Sequence, residues 1–577
     1  MSTIDVGAGP RVPAPTAGRA PRADLATFTL HWLLVAALLV SLATGLRIAI
    51  DDTGGAGRVA VPGWAAAWLP EGAVIEWHVL SSWALVFVLV AYPLFLARAR
   101  AARRVTVDAE SLRMVRTAAA RGKLWRSRPA WDALSRALYW VAFLLVAVMA
   151  VTGALLFAEN TLVPARALQL VHGWAAYAFL AYIAIHILAQ AKAGAFWKIF
   201  RPSLAAAGSA AVALGAAAAA VATGYGIERS LHPTLALPRM DAQPVLDGVA
   251  DEAIWRDLGA VEIATKRAAN VPDGDVPVTV RAYHDGREAH FLFSWPDAQR
   301  SQKHTPLIKT AEGWKILQNG LDANDEQSFY EDKFAVALSR QPDLASGTTH
   351  LGSRPLGGTY PAATRGLHYS VDGSLVDMWH WKSVRTNAMS ADGTQGFMDD
   401  DHFGPPVEPT AGKRYTGGYQ QDPHTGGGYI QNWKKLPPGI KLAGAVVTPQ
   451  RLPADPSVLK RHDAAALAPT AQDEGAWFML EADTVPYSPE LDNFLVGTVM
   501  PSVVIQGPFQ GDRADVRAKG AWKDGRWHLE VSRRLDTGSA KDVAIRPGED
   551  IYLWVSVFNH AQTRHSQHLR PIRIRLD

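Results

Sequence analysis

The sequence of 577 residues contains no cysteine. This absence excludes disulfides, thiolate-bound iron–sulfur clusters, zinc–thiolate sites and haem attached through thioether bonds. Any bound metal must therefore be held by histidine, methionine, lysine, tyrosine or carboxylate side chains. The net charge is also low, at +4, which argues against a nucleic-acid-binding protein. Phosphate-binding loops, the nucleophile motif of serine hydrolases and zinc-protease spacings are absent too, so no catalytic site of its own is visible.

What the sequence does have is long apolar runs, confined to its first 225 residues. A helix needs about 20 apolar residues to cross the hydrocarbon core of a bilayer. Five runs reach this length: Leu25–Ile50, Val74–Ala97, Ala133–Ala158, Ala167–Gln190 and Ser203–Gly224, the last almost entirely Ala, Gly and Val. Residues 1–24 are rich in Pro, Ala and Gly and are expected to be disordered. The first run is too long for a cleaved signal segment and is expected to be retained.

The distribution of basic residues predicts the orientation of these spans. Between the second and third spans, residues 98–128 carry ten Arg and Lys against Asp108 and Glu110. Short loops rich in Arg and Lys remain in the cytoplasm. We therefore expect a multi-pass protein of the bacterial inner membrane, with the N-terminus and the 98–132 loop in the cytoplasm and everything after residue 225 in the periplasm.

Four of the 18 histidines lie inside the apolar runs: His31, His78, His172 and His186. An ionisable side chain inside a span marks a functional position by default, although any one of them alone could be a hydrogen-bonded structural residue. His172 and His186 are 14 residues apart, about 21 Å along one helix and on nearly the same face. His31 is expected at the depth of His186, and His78 at the depth of His172. The set predicts two stacked His–His pairs, each suited to one six-coordinate b-type haem. Small residues nearby would let the macrocycles approach the helices: Gly45, Gly153 and Gly173.

The strings FTLHWLLVAALLVSLATGLRI, EWHVLSSWALVF and LVHGWAAYAFLAYIAIHI resemble the cytochrome b subunit of membrane formate dehydrogenases and nickel–iron hydrogenases. The resemblance covers about residues 25–200, and that family is a four-helix bundle with two haems and a quinone site beside one of them. It implies that His31 and His186 hold the cytoplasmic-side haem and that His78 and His172 hold the outer one. The basic loop and the fifth span at 203–225 depart from the family. The fifth span is expected to tether the C-terminal part of the chain to the membrane.

After a linker at 226–240, the apolar pattern changes to a period of two residues. VTVRAYH and AHFLFSW flank a turn signal at Asp285-Gly286, and a second signal stands at Asp524-Gly525. Short alternating strands with regular turns predict an all-β sandwich over 241–577. Residues 389–475 are rich in Gly, Pro, Asp and Gln and are expected to be an insert outside the sandwich core. The predicted fold is thus a membrane α-helical bundle of four helices plus a tethering fifth, followed by an all-β sandwich.

The strings LDGVADEAIW, VDMWHWKSVR and DVRAKGAWKDGRWHLEVSRRLDTG resemble the haem-binding domain related to the gamma subunit of ethylbenzene dehydrogenase. In that family a sandwich holds one b-type haem through two axial side chains, which are Met and Lys in the gamma subunits. The resemblance implies one ligand before the Trp-x-Trp motif and one near the last strand, where this sequence offers His368 and His565. Neither a Met nor a Lys stands clearly at those places. The competing candidates are His350, His568, Met378 and Met500. The motif residues Trp379 and Trp381 are expected to pack against the haem edge or the core.

These features predict a membrane-bound cytochrome that transfers electrons between the quinone pool and a periplasmic redox partner. It would use two membrane haem b groups and one sandwich haem. Two alternatives remain. The chain could be a membrane-tethered module whose sandwich binds an extracytoplasmic ligand such as a carbohydrate, or the electron-transfer subunit of a larger molybdenum-type oxidoreductase.

The predicted orientation can be tested with reporter fusions. A reporter fused at residue 115 should be found in the cytoplasm and one fused at residue 230 in the periplasm, because the basic loop and the fifth span place these sites on opposite sides. Reporters active in only one compartment measure this directly. Finding both sites on one side would mean that the Ala-rich fifth run does not cross the membrane.

Overall fold

The computed structural model describes residues 22–50, 68–70, 74–158, 163–230, 233–266, 268–323, 326–342, 374–403, 420–463, 467–468 and 472–577. Most of the N-terminal segment predicted to be disordered therefore lies outside the described residues. The described helices are α1 Leu25–Ile50, α2 Val74–Arg98, α3 Ala109–Ala120, α4 Arg128–Phe157, α5 Ala165–Ala193, α6 Ala207–Ser230 and the short α7 Ala253–Asp257.

The strands are short and lie almost entirely after the helices. In chain order they are β1 Ala23–Asp24, β2 Pro202–Ser203, β3 Thr234–Leu237, β4 Val261–Thr265, β5 Val276–His284, β6 Glu288–Pro296, β7 Leu307–Thr310, β8 Gly313–Ile316, β9 Lys333–Ser339, β10 Val376–Lys382, β11 Asp399–Phe403, β12 Gln420–Gln421, β13 Gly426–Gln431, β14 Val446–Val447, β15 Arg451–Pro453, β16 Lys460–Arg461, β17 Met479–Leu480, β18 Thr484–Pro486, β19 Thr498–Met500, β20 Val503–Gln510, β21 Val516–Lys523, β22 Arg526–Arg534, β23 Ile551–Phe558 and β24 Ile572–Leu576.

Five of the described helices, α1, α2, α4, α5 and α6, are long and apolar enough to cross a membrane. They correspond to the five predicted spans. Helix α3 lies in the basic loop and begins at an N-cap, where Asp108 accepts a hydrogen bond of 2.8 Å from the backbone N–H of Ser111. Such a cap satisfies one of the backbone donors that every helix start leaves open.

The chain forms two compact units, and the boundary between them passes through the helices rather than the linker. The first comprises Met1–Leu39, Ser82–Ala150 and Ala175–Gly224, and the second comprises Val40–Ser81, Val151–Trp174 and Tyr225–Asp577. His31 and His186 therefore belong to the first unit. His78 and His172 belong to the second unit, together with strands β3 to β24.

In the first unit, polar contacts hold the start of α1. Strand β1 pairs in parallel with β2. Asp24 accepts a hydrogen bond of 2.9 Å from the N–H of Thr27 and forms an ion pair of 2.5 Å with Arg104 from the loop after α2. Apolar side chains of α1, α2 and α6 pack together around Leu30 and Phe95. The basic loop is thereby fixed to the start of the first span.

In the second unit, two mainly antiparallel sheets face each other and form the predicted β-sandwich. One sheet has the strand order β12-β11-β10-β9-β23-β24-β3, and the other has the order β21-β22-β6-β5-β4. Their facing sides share one core. Four tryptophans in this core are at most 1% exposed: Trp295, Trp379, Trp381 and Trp527. Both tryptophans of the Trp-x-Trp motif are thus core residues.

Both predicted turns join adjacent antiparallel strands. Asp524 and Gly525 connect β21 to β22 with φ values of 51° and 78°. Positive φ at both residues defines the type I′ turn that suits a two-residue hairpin, which explains the Asp-Gly sequence. At the other turn, Asp285 accepts hydrogen bonds of 2.7 Å from the N–H groups of Arg287 and Glu288, between β5 and β6.

The segment 389–475, expected to be an insert, is not one continuous excursion. Strands β11 and β12 belong to the seven-stranded sheet, and Met398 lies in the sandwich core. The part outside the sandwich core instead combines strands from within this segment with strands that precede and follow it. Strands β14, β8, β7, β19 and β16 form a separate sheet, and a second core surrounds Leu307, Trp314 and Met500. Most of these strands have only two to four residues, too few for alternation to reveal them.

Candidate functional site

The structure brings the four membrane histidines together as two pairs. The ring centres of His31 on α1 and His186 on α5 are 6.5 Å apart, with ring planes inclined by 35°. Those of His78 on α2 and His172 on α5 are 6.2 Å apart, with an inclination of 67°. We call these the inner pair and the outer pair, respectively.

Both separations fit two imidazoles that share one metal ion. A metal–imidazole bond is about 2.0–2.1 Å long, and a ring centre lies about 1.1 Å behind its nitrogen, so two opposed ligands place their centres roughly 6.3 Å apart. Neutral imidazole is a common axial ligand of haem iron. The residue types and the spacing of both pairs are therefore suited to six-coordinate haem.

A threonine on a neighbouring helix contacts each histidine of the outer pair. Thr44 Oγ1 lies 3.0 Å from Nδ1 of His78, and Thr152 Oγ1 lies 2.9 Å from Nδ1 of His172. The Thr44 hydroxyl donates to the carbonyl of Val40 at 2.7 Å, so it accepts from His78. Nδ1 of His78 therefore carries the proton, and Nε2 carries the lone pair that a metal requires.

The glycines that follow these threonines make room for the imidazoles. A Cβ atom at Gly45 would lie 3.0 Å from Cε1 of His78, and one at Gly153 would lie 3.3 Å from Cε1 of His172. Both distances are shorter than ordinary van der Waals contact, so a larger residue would displace the ring. At Gly173, by contrast, a Cβ atom would meet no described residue within 4 Å. Each Thr-Gly pair therefore supports one histidine of the outer pair. The threonine forms a hydrogen bond with the ring, and the glycine leaves space for it.

The inner pair has aromatic neighbours in place of threonines. The Tyr182 hydroxyl lies 3.3 Å from Nδ1 of His186, and the two rings stack with centres 5.5 Å apart. Trp32 meets His31 edge-on at 5.7 Å. Because hydrogen bonding and burial around the ligands tune a haem's potential, the two pairs provide different electrostatic surroundings.

In the β part, ligand-type side chains lie on the face of the seven-stranded sheet that points away from the core. Alternation along β10 sends Trp379 and Trp381 into the core and leaves Met378 and His380 on the opposite face. The cross-strand neighbours on β9 and β23 are small: Ala335, Ala337 and Ser556. We call this surface the outer sheet face. Trp554, also on β23, pairs with Ala337 and packs against Met378 on this face.

His565 lies at one end of the outer sheet face. Its ring contacts Phe558 at 4.8 Å, and His380 stacks on the same Phe558 ring at 5.2 Å. Nδ1 of His565 donates to the carbonyl of Ser566 at 2.8 Å, which places the lone pair on Nε2. Nε2 of His380 is buried without a hydrogen-bond partner among the described residues. Burial lowers the pKa of both imidazoles, which favours the neutral form that binds iron.

The other candidates in the β part differ from His565. Both nitrogens of His568 are bonded to backbone, since Nδ1 donates to the carbonyl of Arg570 at 2.7 Å and Nε2 accepts from the N–H of Val555 at 2.9 Å. Met500 is fully buried in the second core. His350 and His368 lie outside the described residues, so the predicted pairing of His368 with His565 stays a prediction.

Sequence reasoning missed His380, although a signal for it was present. His380 is the middle residue of Trp-x-Trp in a strand, so a period of two residues places it opposite to the tryptophan side chains. If the tryptophans enter the core, this histidine must lie on the outer sheet face. Met378 shares that face two residues earlier, directly before the motif.

Buried lysines lie beside His380. Lys333 and Lys382 are cross-strand partners on β9 and β10, and both are almost fully buried. Lys382 forms an ion pair with Asp399, whereas Lys333 donates to the carbonyl of Gln562 at 2.8 Å and has no carboxylate within 4.0 Å in the described part of the chain. Burial, reinforced by the nearby Arg385, lowers the pKa of both lysines well below its usual value. An acidic group bound here would favour their charged forms.

Comparison with known families assigns both parts of the chain. Residues 252–570, more than half of the sequence, match the family described as ethylbenzene dehydrogenase. The chain belongs to the ethylbenzene dehydrogenase family. Residues 22–201 match the family described as prokaryotic cytochrome b561. This ethylbenzene dehydrogenase family member is therefore a multi-pass membrane protein with a b-type cytochrome that binds haem b and transfers electrons, followed by a strand-rich domain linked to molybdoenzyme-type subunits.

Solved structures similar to this family member are distant. A putative carbohydrate-binding protein from Bacteroides uniformis shares 8% identity over 60% of this chain and 100% of that chain, with a TM-score of 0.24. A family 9 carbohydrate-binding module from Caldicellulosiruptor kristjanssonii, in complex with glucose, shares 10% identity over 59% and 95%, with a TM-score of 0.20. No curated protein matches the chain.

The space at Gly45 can be tested by enlarging it. Gly45→Val should displace His78 and weaken retention of one haem about 5- to 150-fold, because overpacking costs about 1–3 kcal/mol. Haem content per chain and reduced-minus-oxidised spectra measure the loss. Gly173→Val is the matched control and should retain the wild-type haem content. If both variants behave like the wild type, the His78 ring does not depend on this space.

Proposed function

We propose that this protein transfers electrons between the membrane quinone pool and a periplasmic redox partner through two membrane haems and one sandwich haem. His31 and His186 would hold one membrane haem, and His78 and His172 the other. The observation that carries the proposal is the separation of the imidazoles, 6.5 Å and 6.2 Å, in two pairs that use all four histidines of the described spans. Structural histidines would not need this common spacing.

Bound haem b supplies a one-electron iron couple. The chain's own residues would then do three things. The imidazoles ligate, Thr44 and Thr152 hold the outer rings in place, and the apolar helices keep water from the iron. A hydrogen bond at Nδ1 fixes the orientation of a ligating imidazole and raises the basicity of its Nε2.

The sandwich haem would lie at the outer sheet face. His565 and His368 remain the proposed axial ligands, and His380 is the described alternative to His368. Lys333 and Lys382 would interact with the two acidic propionates of a haem. The support for this step is that two imidazoles and the buried Lys333 side chain lie side by side around Phe558.

The outer pair and the sandwich belong to the same compact unit. Within that unit, Arg570 forms an ion pair of 3.4 Å with Glu228 at the end of α6, and its guanidinium lies 5.3 Å from the ring centre of Phe157 at the end of α4. The segment that carries His565 is therefore attached to the helix ends. These contacts support electron transfer between the outer membrane haem and the sandwich haem.

The two ends of the electron path rest on family resemblance. Quinone would react beside the inner pair, at the proposed cytoplasmic side. At the periplasmic end, the ethylbenzene dehydrogenase family favours a second candidate function, in which the partner is the catalytic subunit of a molybdenum-type oxidoreductase and this chain is its electron-transfer subunit.

Single histidine substitutions test the pairing. His172→Ala and His186→Ala should each remove one low-spin b haem, and the two lost haems should differ, because each change leaves a different partner without its opposite ligand. His78→Ala should give the spectrum of His172→Ala, and His31→Ala that of His186→Ala. Haem content and redox titration of the purified proteins distinguish these patterns. Variants that all retain two membrane haems would contradict the pairing.

The sandwich site is tested by counting haems in the full-length protein. We expect three haems per chain, and His565→Ala should reduce the number to two while both membrane haems keep their spectra. His380→Ala, made in parallel, shows whether His380 is the second ligand. His424→Ala is the control, since His424 is exposed after β12. A wild-type protein with only two haems would favour a haemless ligand-binding sandwich.

A further inference from the structure

Four aspartates converge beside the edge of the seven-stranded sheet, away from the proposed haem sites. Asp377 lies on β10, Asp400 on β11, Asp422 just after β12, and Asp542 in the segment between β22 and β23. Carboxylate oxygens of Asp377, Asp400 and Asp542 lie within 4.8 Å of one another, and the Asp422 carboxyl contacts that of Asp542. All four side chains are at most 1% exposed. We call this group the acidic pocket.

The positive charge in contact with the acidic pocket is too small to neutralise it. The Arg533 guanidinium lies 2.8 Å from Asp377 and 3.2 Å from Asp542, and it also donates to the carbonyl of Val543 at 3.0 Å. His402 Nδ1 lies 2.5 Å from Asp422, and burial lowers the pKa of this imidazole. One guanidinium therefore faces four carboxyl groups.

The feature that points to a ligand is Asp400. Both of its carboxylate oxygens are buried, and neither has a hydrogen-bond partner among the described residues. Asp542 contacts Arg533 and the Asp422 carboxyl and has no further hydrogen-bond partner among the described residues. Asp377, in contrast, accepts hydrogen bonds from Trp379 Nε1 at 2.7 Å and from the N–H of Val543 at 2.9 Å. Buried polar groups without partners are rare in native proteins, and a bound ion is one common explanation.

We propose that the acidic pocket binds one calcium ion through the carboxylates of Asp400, Asp542 and Asp422. The donors are hard oxygen atoms, which Ca²⁺ and Mg²⁺ prefer, and the irregular carboxylate set suits the more flexible geometry of Ca²⁺. Ca²⁺–oxygen bonds are about 2.3–2.6 Å long, so two ligands of one ion are at most about 5 Å apart. Carboxylate oxygens of Asp400 and Asp542 lie within 4.8 Å of each other and satisfy this condition, and the Asp422 carboxyl contacts that of Asp542. The contact between His402 and Asp422 would orient this carboxylate toward the ion.

The position of the ion gives it a structural role. It would connect β11 and the residue after β12 to the segment that precedes β23. Asp400 lies on the face of β11 opposite to Asp399, which belongs to the outer sheet face. Calcium would therefore stabilise the sheet that carries the outer sheet face. The competing explanation is protonation. Burial and crowding by like charges raise the pKa of Asp422 to about 8 and that of Asp400 well above its usual value.

Calcium binding can be measured on the full-length protein in detergent. The protein is stripped with EGTA, recharged with CaCl₂, passed through a desalting column and analysed for metal content and thermal unfolding. We expect about one calcium per chain and a rise in Tm of roughly 5 °C or more at a hundredfold excess over Kd. The same concentration of MgCl₂ should produce a smaller rise. Absence of retained calcium together with an unchanged Tm would overturn the proposal.

Variants separate metal binding from protonation. Asp400→Asn keeps the size of the side chain but removes its charge, so it should abolish the calcium-dependent rise in Tm. Asp536→Asn is the matched control, because Asp536 is exposed and pairs only with Arg546 in the described part of the chain, at 2.8 Å. If the carboxyls share protons instead, the wild type should not respond to calcium, and Asp400→Asn should melt at or above the wild-type temperature. Should Asp400→Asn fail to fold, the wild-type titration alone decides.

Discussion

The other parts of the structure depend on how imidazole rings are placed inside the membrane helices. A neutral imidazole has one nitrogen that donates a hydrogen bond and one that accepts, and in hydrocarbon a polar atom without a partner costs several kcal/mol. In the outer pair, Thr44 and Thr152 bond Nδ1 of the two rings. The ring centres are 6.2 Å apart, which is the separation expected for two imidazoles that share one metal ion. In the proposed arrangement, one haem iron would bind both rings, and Gly45 and Gly153 leave room for them.

Features that repeat along the chain, or that break a local sequence pattern, could be predicted from the sequence. Apolar runs of membrane length predicted the spans, Asp-Gly between alternating segments predicted the hairpins, and histidine in a span predicted the paired sites. Features that depend on contacts between segments far apart in the chain could not be predicted. The second core combines residues near 307 with residues near 500, through strands too short to show a period. Gly45 and Gly153 could be singled out as small residues near the ligands, but the hydrogen bonds of Thr44 and Thr152 could not, because Thr44 and His78 are far apart in the chain and each is ordinary in its own helix.

Charge in the β part is organised by alternation along single strands. Strand β11 begins with three aspartates, and a period of two residues directs them to different surroundings. Asp399 lies with the cations of the outer sheet face, where Lys382 and Arg513 bind it. Asp400 lies on the other side, among carboxylates. A composition count treats the run as one acidic segment, whereas the strand directs Asp399 to cations and leaves Asp400 without a hydrogen-bond partner among the described residues. Asp400 is therefore the carboxylate of this run that carries the proposal of a bound ion.

The boundary between the compact units bears on the electron path. A membrane anchor with an independent outer domain would divide at the linker near residue 230, but the division falls within the helices, so that His78 and His172 group with the sandwich. The ion pair between Arg570 and Glu228 lies inside this unit, close in sequence to His565. In the proposed electron path, contacts of this kind would hold the segment that carries His565 near the outer pair. The end of the fifth helix, from Tyr225 onward, therefore belongs to the same compact unit as the outer pair and the sandwich, whereas its Ala-rich sequence alone predicts only a tether.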